Sequence, residues 1–521
     1  MKQQDIWVIS REYAGIAEAG GVKNVACSLC EGLAAQGADV TLFIPRYACT
    51  DFSTISEYKP NCIPPQKIYA GDISYTVSFD SAIDLHSNVK VVFVGHQIFS
   101  DKTGVYTYTA IDEKENPEKK RGTGFKDELL LDVLFQKAVV TYSTAKNHAP
   151  QIIHCQDAAT AIVPALFHFA QEQNNIKFVV TIHNAGPGYH HNFYSIPQAE
   201  YFTHLPRNFL EKCMNGEWVE PFLMAAEFAD MTTVSPWYAQ ELLDSSNNEN
   251  TAGLSNLFIQ KGIKITGITN GIDCEKYDPR NVKVSHLPYA FDPFNLKLKG
   301  KYQNRTYFIN NFAIKEKEIN THDITKFGYL NPTEKNIIYF GYHGRIVRQK
   351  GIDVLLDAAE KLLSERNDVH FIIAGQGESV FETALSELAE RHAGKCVYFR
   401  GYDRAIARLT TAVSDFIVLP SKFEPCGLED FIAQLFGTIP VAHATGGLNK
   451  IIDSQTGFLY QHNSSEELFI LLDKLCAEFN ENPDAFKKII SSAANTVVQK
   501  YSWSSVIQNE YLPLYKKINF F

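Results

Sequence analysis

"DFIVLPSKFEPCGLEDFIAQLFGTIPVAHATGG", residues 415–447, packs an apolar run, a loop, an amphipathic stretch and a second apolar run into one segment. The runs "DFIVLP" and "IPVAHA" read as strands, and "EDFIAQLFG" between them reads as a helix. Strand, crossover helix and strand make a βαβ unit, which implies a parallel sheet. In open sheets of this kind, ligands bind where loops leave the carboxyl ends of the strands. "FEPCGL" at Phe423 to Leu428 and "TGG" at Thr445, Gly446 and Gly447 fall at two such exits.

The alternation extends outward in both directions. "NIIYFGYHGR", "VHFIIAGQG" and "CVYFRGY" precede the segment as further strands. Much earlier, "DIWVIS", "DVTLFIP", "VKVVFVG", "QIIHCQD", "KFVVTIHN", "MTTVS" and "KITGITNGID" repeat the pattern, with helical periodicity between several of them. From about Val282 to Lys335 the sequence turns polar, aromatic and irregular. The expected architecture is therefore α/β, with two Rossmann-like domains and a cleft between them. We place an N-terminal domain at 1–280, a C-terminal domain at 281–500, and a helix at 501–521 that crosses back to the first. Trp503, Val506, Ile507 and Leu514 are its candidate anchors. A length of 521 residues agrees, since a single core seldom supports so long a chain.

Composition narrows the function. The net charge of -10 argues against nucleic acid or an anionic membrane as the main partner. No apolar stretch reaches the roughly 18 residues of a membrane span. The start "MKQQDIWVIS" enters a strand directly and shows no signal-peptide pattern. The 10 cysteines are scattered among apolar neighbours. Cys27 and Cys30 have C-x-x-C spacing without a second pair, so buried free thiols are expected rather than zinc. A reducing, cytoplasmic compartment follows. His190 and His191 resemble a metal pair, but no ligand follows at suitable spacing, so no metal site is expected.

Three loops carry chemistry. "AEAGGVKNV" follows the first strand and opens a helix, where Gly20 and Gly21 let backbone N–H groups approach a phosphate. "GYHGRIVRQKGID" sets Arg345, Arg348 and Lys350 ahead of a helix, positioned to neutralise a diphosphate. In "FEPCGL", Glu424 offers a carboxylate to sugar hydroxyls beside the backbone of Cys426, Gly427 and Leu428. Together these describe a site for a sugar diphosphate.

At this level of detail the chain resembles the bacterial glycogen synthase and plant starch synthase family, retaining glycosyltransferases of GT-B architecture. The likeness runs through "AGGVKNVACSLCEGLAAQGADVTLFIPRY", "IIHCQDAATAIVPAL", "VVTIHNAG", "TTVSPWYAQEL" and "ITGITNGIDCEKYDP". It continues through "GRIVRQKGIDVLLDA", "PSKFEPCGLEDFIAQLFGTIPVAHATGGL" and "TGFLY" to "YSW". The resemblance implies transfer of glucose from ADP-glucose or UDP-glucose to the non-reducing end of an α-1,4-glucan such as glycogen, with retention. It implies no cofactor beyond the donor. Arg345 and Lys350 match the pair that stabilises the departing diphosphate, and Glu424 the residue that holds donor glucose. His183, Asn184 and Asn270 match glucose-site positions, and Asp157 the acidic residue of the family's "HDWH"-type stretch. Departures stand beside these matches: Glu18 replaces the lysine of the first glycine loop, and Ala158 and Ala159 replace the tryptophan and second histidine. The alternatives are another GT-B transferase with a different acceptor, or a non-catalytic glucan-binding paralogue.

Overall fold

Runs such as Ile6–Ile9 and Ile417–Leu419 are apolar throughout because both faces of their sheets are covered, as parallel strands require. The computed structural model describes residues 4–170, 175–321, 323–332 and 336–517. The chain divides into two compact units, Met1–Gly271 with Trp503–Phe521, and Ile272–Ser502. The change of unit falls at Gly271, ahead of the residue 280 placed from sequence.

The first unit holds β1 (Asp5–Ile9), β2 (Asp39–Pro45), β3 (Ile55–Ala70), β4 (Ile73–Asp84), β5 (Lys90–Gly95), β6 (Ile152–Gln156) and β7 (Lys177–Ile182). A small hairpin of β8 (Met214–Asn215) and β9 (Trp218–Val219) follows, then β10 (Asp230–Thr233) and β11 (Ile265–Gly267). Its main sheet runs β11-β10-β7-β6-β1-β2-β5-β4-β3. All pairings are parallel except those of β4 with β3 and β5. The long β3–β4 hairpin escaped the sequence reading, because its exposed face carries no apolar run. The order reverses between β1 and β6, so the loops after these strands diverge and open a crevice.

The second unit holds β12 (Ile324–Leu330), β13 (Ile338–His343), β14 (Val369–Gly375), β15 (Lys395–Gly401), β16 (Phe416–Leu419), β17 (Ile439–His443) and β18 (Phe458–Tyr460). Its order is β12-β15-β14-β13-β16-β17-β18. Leaving aside the antiparallel edge strand β12, this is the Rossmann order with its switch between β13 and β16. The segment read as irregular is partly ordered: a helix spans Lys299–Phe308, and β12 lies within it. Polar side chains hid the helix, since it buries Gly300, Lys301, Asn304 and Phe308 rather than an apolar stripe. Lys335, the end of that segment, lies outside the described residues.

The helix Ile352–Glu365 shows how pattern becomes packing. Ile352, Leu355, Ala358, Ala359 and Leu362 are buried at the 3–4 residue spacing of one helix face and join the core beneath the second sheet. In the first unit, Leu29 and Leu33 pack with Val506, Ile507, Tyr511 and Tyr515 from the final segment. Trp503 and Leu514 rest against the same core, partly buried. Gly271 is a glycine because a Cβ there would lie 2.7 Å from the Trp503 ring.

Candidate active site

The basic loop leaves β13 and the Glu424 loop leaves β16, which places them on either side of the second unit's switch point. A cavity of about 380 Å³ opens there. Arg345, Lys350, Glu424, Gly427 and Leu428 all line it. The Lys350 ammonium is hydrogen-bonded to Glu424 Oε2, and Ser421 Oγ donates to the same oxygen at 3.2 Å. Arg345 is exposed, and its Nη2 donates to Gln349 Oε1 at 3.0 Å. Gln349 also ties the two loops together: its carbonyl accepts from Lys422 N–H, and its side chain donates to the Phe423 carbonyl at 3.3 Å. Gly351 starts the next helix at φ +69, where a Cβ would collide with the Pro420 carbonyl. That close approach is what lets Lys350 reach Glu424.

Cys426, Thr445, Gly446 and Gly447 do not line the cavity; they form the wall behind it. Gly447 N–H donates to the Glu424 carbonyl at 2.8 Å, and a Cβ on Gly447 would strike Cys426. The "TGG" turn therefore supports the Glu424 loop. Behind both sits Lys450, a buried residue absent from the sequence reading. Its Nζ donates to the carbonyls of Cys426 (2.6 Å), Gly427 (3.0 Å) and Gly447 (3.1 Å), and pairs with buried Asp430 at 2.9 Å. Burial pushes the Asp430 carboxyl up to about 6 against the pull of Lys450. Its signal in sequence was a lysine running directly into the apolar pair Ile451 and Ile452 in "GGLNKII". The cavity also takes in His343, Glu429 and Tyr402, which the sequence reading did not single out; Tyr402 is 62 % exposed.

In the first unit the expected residues also leave strand ends. Asp157 follows β6 at φ 68, ψ 178, a backbone region that side chains rarely adopt. Its carboxylate accepts the N–H of His183, at 3.3 Å, and those of Ala158 and Asn184. Burial nonetheless pushes this carboxyl up to about 7. His183, after β7, lies 2.8 Å from Gln156 Oε1 through Nε2, and burial lowers its imidazole to about 4, so it is neutral at pH 7. Asn184 Oδ1 accepts Gly186 N–H. Asn270 is buried after β11 with its Oδ1 unpartnered, as is Gln156 Nε2.

The first glycine loop differs from expectation in its hydrogen bonding. Gly20 N–H, expected to face a phosphate, donates to Glu12 Oε2 at 2.6 Å, and Ala19 N–H joins it at 3.0 Å. Gly21 caps the helix Val22–Ala35. Glu18 Oε1 accepts Gly15 N–H at 2.7 Å while Oε2 pairs with Lys23 at 2.8 Å, so its charge is compensated within the turn. The tandem histidines point apart. His190 Nδ1 faces Glu220 and His191 Nδ1 faces Asp132, each at 2.7 Å. Glu128, Asp132 and His191 are close enough to hold an ion. Buried Arg11 donates to both carboxylates, so a cation already balances them.

Two Rossmann-like units, one with a cavity at its switch point that gathers Arg345 and Lys350 among carboxylates, form the fold class of the GT-B glycosyltransferases. Residues 5–258 match the family described as "Starch synthase catalytic domain", and residues 323–491 match "Glycosyl transferases group 1". The chain is 29% identical to the glycogen synthase of Flavobacterium johnsoniae, over 99% of each, and 28% identical to that of Thermodesulfovibrio yellowstonii, over 98% of this chain and 97% of the relative. The solved catalytic domain of starch synthase IV from Arabidopsis thaliana, bound to ADP and acarbose, has a similar fold. The TM-score is 0.79 at 23% identity, over 99% of both chains. The sucrose-phosphate synthase of Thermosynechococcus elongatus is more distant, at TM-score 0.55 and 15% identity. The chain belongs to the glycogen synthase and starch synthase family, and it is a hexosyltransferase.

Proposed function

We propose that the chain moves glucose from a nucleoside-diphosphate glucose, ADP-glucose or UDP-glucose, to the non-reducing end of an α-1,4-glucan with retention at the anomeric carbon. The observation that carries this reading is the meeting of Arg345, Lys350 and Glu424 on one cavity at a topological switch point. Exposed Tyr402 at the same cavity suits a planar base.

The chemistry follows from charge. Breaking the glucosyl–phosphate bond builds positive charge at the anomeric carbon and negative charge on the leaving diphosphate. Arg345 and Lys350 stabilise that anion, more in the transition state than before it. Lys350 has three N–H donors, and its bond to Glu424 leaves others for phosphate oxygens. Glu424, with its remaining lone pairs, accepts from sugar hydroxyls, while Gly427 and Leu428 supply backbone around the sugar. Cys426, Thr445, Gly446 and Gly447 hold that wall in place. In the first unit, Asp157 and neutral His183 serve the glucosyl group and its acceptor as hydrogen-bonding partners, and Asn184 and Asn270 assist them. Orphaned Asn270 Oδ1 has an acceptor position to offer a sugar hydroxyl. Gly20 N–H is instead taken by Glu12 Oε2, so Gly20 and Gly21 act here by shaping the loop that Glu12 closes. The free cysteines support the cytoplasm as compartment, and no helix among the described residues is long and apolar enough to cross a membrane.

Incorporation of labelled glucose into glycogen, with ADP-glucose and UDP-glucose run in parallel, tests the reading. Incorporation from one donor or both is expected. Donor binding without incorporation into any glucan would instead favour a binding paralogue.

A further inference from the structure

We propose that His343, oriented by Glu429, is a further donor-binding residue that offers Nε2–H to a diphosphate oxygen in the second-unit cavity. The proposal rests on the reading of that cavity as the donor site. His343 is the last residue of β13, two positions before Arg345, and both it and Glu429 line the cavity with Lys350. Its Nδ1 lies 3.3 Å from Glu429 Oε2. Its Nε2 has no hydrogen-bond partner among the described residues, and the side chain keeps 21% of its surface open. An imidazole fixed through one nitrogen and open at the other, beside two cations meant for an anion, is placed to bind that anion.

The direction of the effect follows from the tautomer. With Nδ1–H given to Glu429, a neutral ring presents a lone pair at Nε2, which repels a phosphate oxygen. The imidazolium presents N–H there and attracts it. Burial alone would disfavour the charge, but Glu429 outweighs it and raises the imidazole above its ordinary value. Glu429 is in turn held low by His343 and, more weakly, by Lys350, against its own burial. The other charged groups around the cavity are Arg345 on the same loop, Glu424 on the loop after β16, Asp430 beside Glu429, and Asp403 after β15. The Tyr277 ring, packed against the same core, also feels the field of Glu429. Because the protonated ring binds the anion, donor binding takes up a proton, and affinity falls as pH rises through the imidazole's pKa.

Calorimetric binding of ADP-glucose without acceptor, at about pH 6 and about pH 8.5, tests this. The diester diphosphate of that donor does not titrate in this range. Wild type is expected to bind about tenfold tighter at the lower pH, with proton uptake visible as a dependence on buffer ionisation enthalpy. His343→Gln is expected to lose both the pH dependence and the uptake. Glu429→Gln keeps the ring but moves the fall in affinity to lower pH, a change that simple loss of packing would not produce. A His343→Gln profile that overlays wild type overturns the proposal. Should that variant fail to fold, Glu429→Gln decides alone, and an unmoved profile is then the overturning result. Failure of wild type to bind either ADP-glucose or UDP-glucose would overturn the donor-site reading itself.

Discussion

Asp157 carries two costs at once, a backbone at φ 68, ψ 178 and a carboxyl pushed up to about 7. Its folded value lies above the ordinary 3.8, so ionising it in the folded chain is unfavourable. Stability from this group is present in acid and lost as pH rises toward 7. Asp157→Asn removes the titration while keeping the shape. Its thermal midpoint relative to wild type is therefore expected to be higher at pH 8 than at pH 4, by roughly 10 °C, while activity falls. A pH-independent difference would mean that Asp157 ionises normally. Lys350 makes the opposite case, a cation that keeps part of its surface open to the cavity. Lys350→Ala should lower turnover by about 10² or more with an unchanged melting curve; near-normal turnover at saturating donor would remove its assigned role. Glu18 stands where the resembled family carries a lysine. Since it holds Gly15 N–H and Lys23, Glu18→Lys breaks both bonds and sets two ammonium groups together. Weaker donor binding is expected, measured by titration with ADP-glucose and UDP-glucose. Tighter binding would mean the loop carboxylate was opposing the diphosphate after all.

At the scale of elements, what could be read in advance followed chain order. Strand ends are visible as apolar runs, so the exits carrying Arg345, Lys350, Glu424, Asp157 and His183 were legible. What those exits bond to was not. Glu12 closes on the amides of Ala19 and Gly20 because the loop folds back on itself, and no spacing encodes that. Glu220 and Asp132 approach the tandem histidines from distant segments, for the same reason. Lys450 and Asp430 went unread because their burial comes from the "TGG" turn and the Glu424 loop folding over them, which no spacing encodes. Taking the lysine away leaves a buried carboxylate, and breaking such a pair costs about 3–5 kcal/mol. Lys450→Met is thus expected to destabilise the second unit and raise the KM for donor, since three carbonyls of the cavity wall lose their donor. Adding Asp430→Asn should restore much of the stability but little of the KM. Equal recovery of both would show that the lysine acts on fold alone.

For the whole molecule, the route of the chain makes the first unit depend on its last residues. The unit is begun by Met1–Gly271 and finished by Trp503–Phe521, with all of Ile272–Ser502 between. Val506, Ile507, Tyr511 and Tyr515 from that segment are buried in the core around Leu29 and Leu33. Burying each contributes roughly 1.5–3 kcal/mol, so together they approach the roughly 5–15 kcal/mol that usually holds a domain folded. Ile507 sits where Gly32 has no side chain, and a Cβ at Gly32 would run into it. Tyr515 OH lies 2.8 Å from Nδ1 of His154, whose ring is fully buried and held neutral, at about 3, by that burial. A chain ending at Ser502 should therefore lose the first unit while the second, complete in itself, still folds. Limited proteolysis would then leave a protected fragment beginning near Ile272. Point changes grade the same effect: Ile507→Ala is expected to cost about 2–5 kcal/mol, and Tyr515→Phe about 1 kcal/mol through the lost hydrogen bond. A truncated chain with both units protected would show that the final segment decorates the first core rather than completing it.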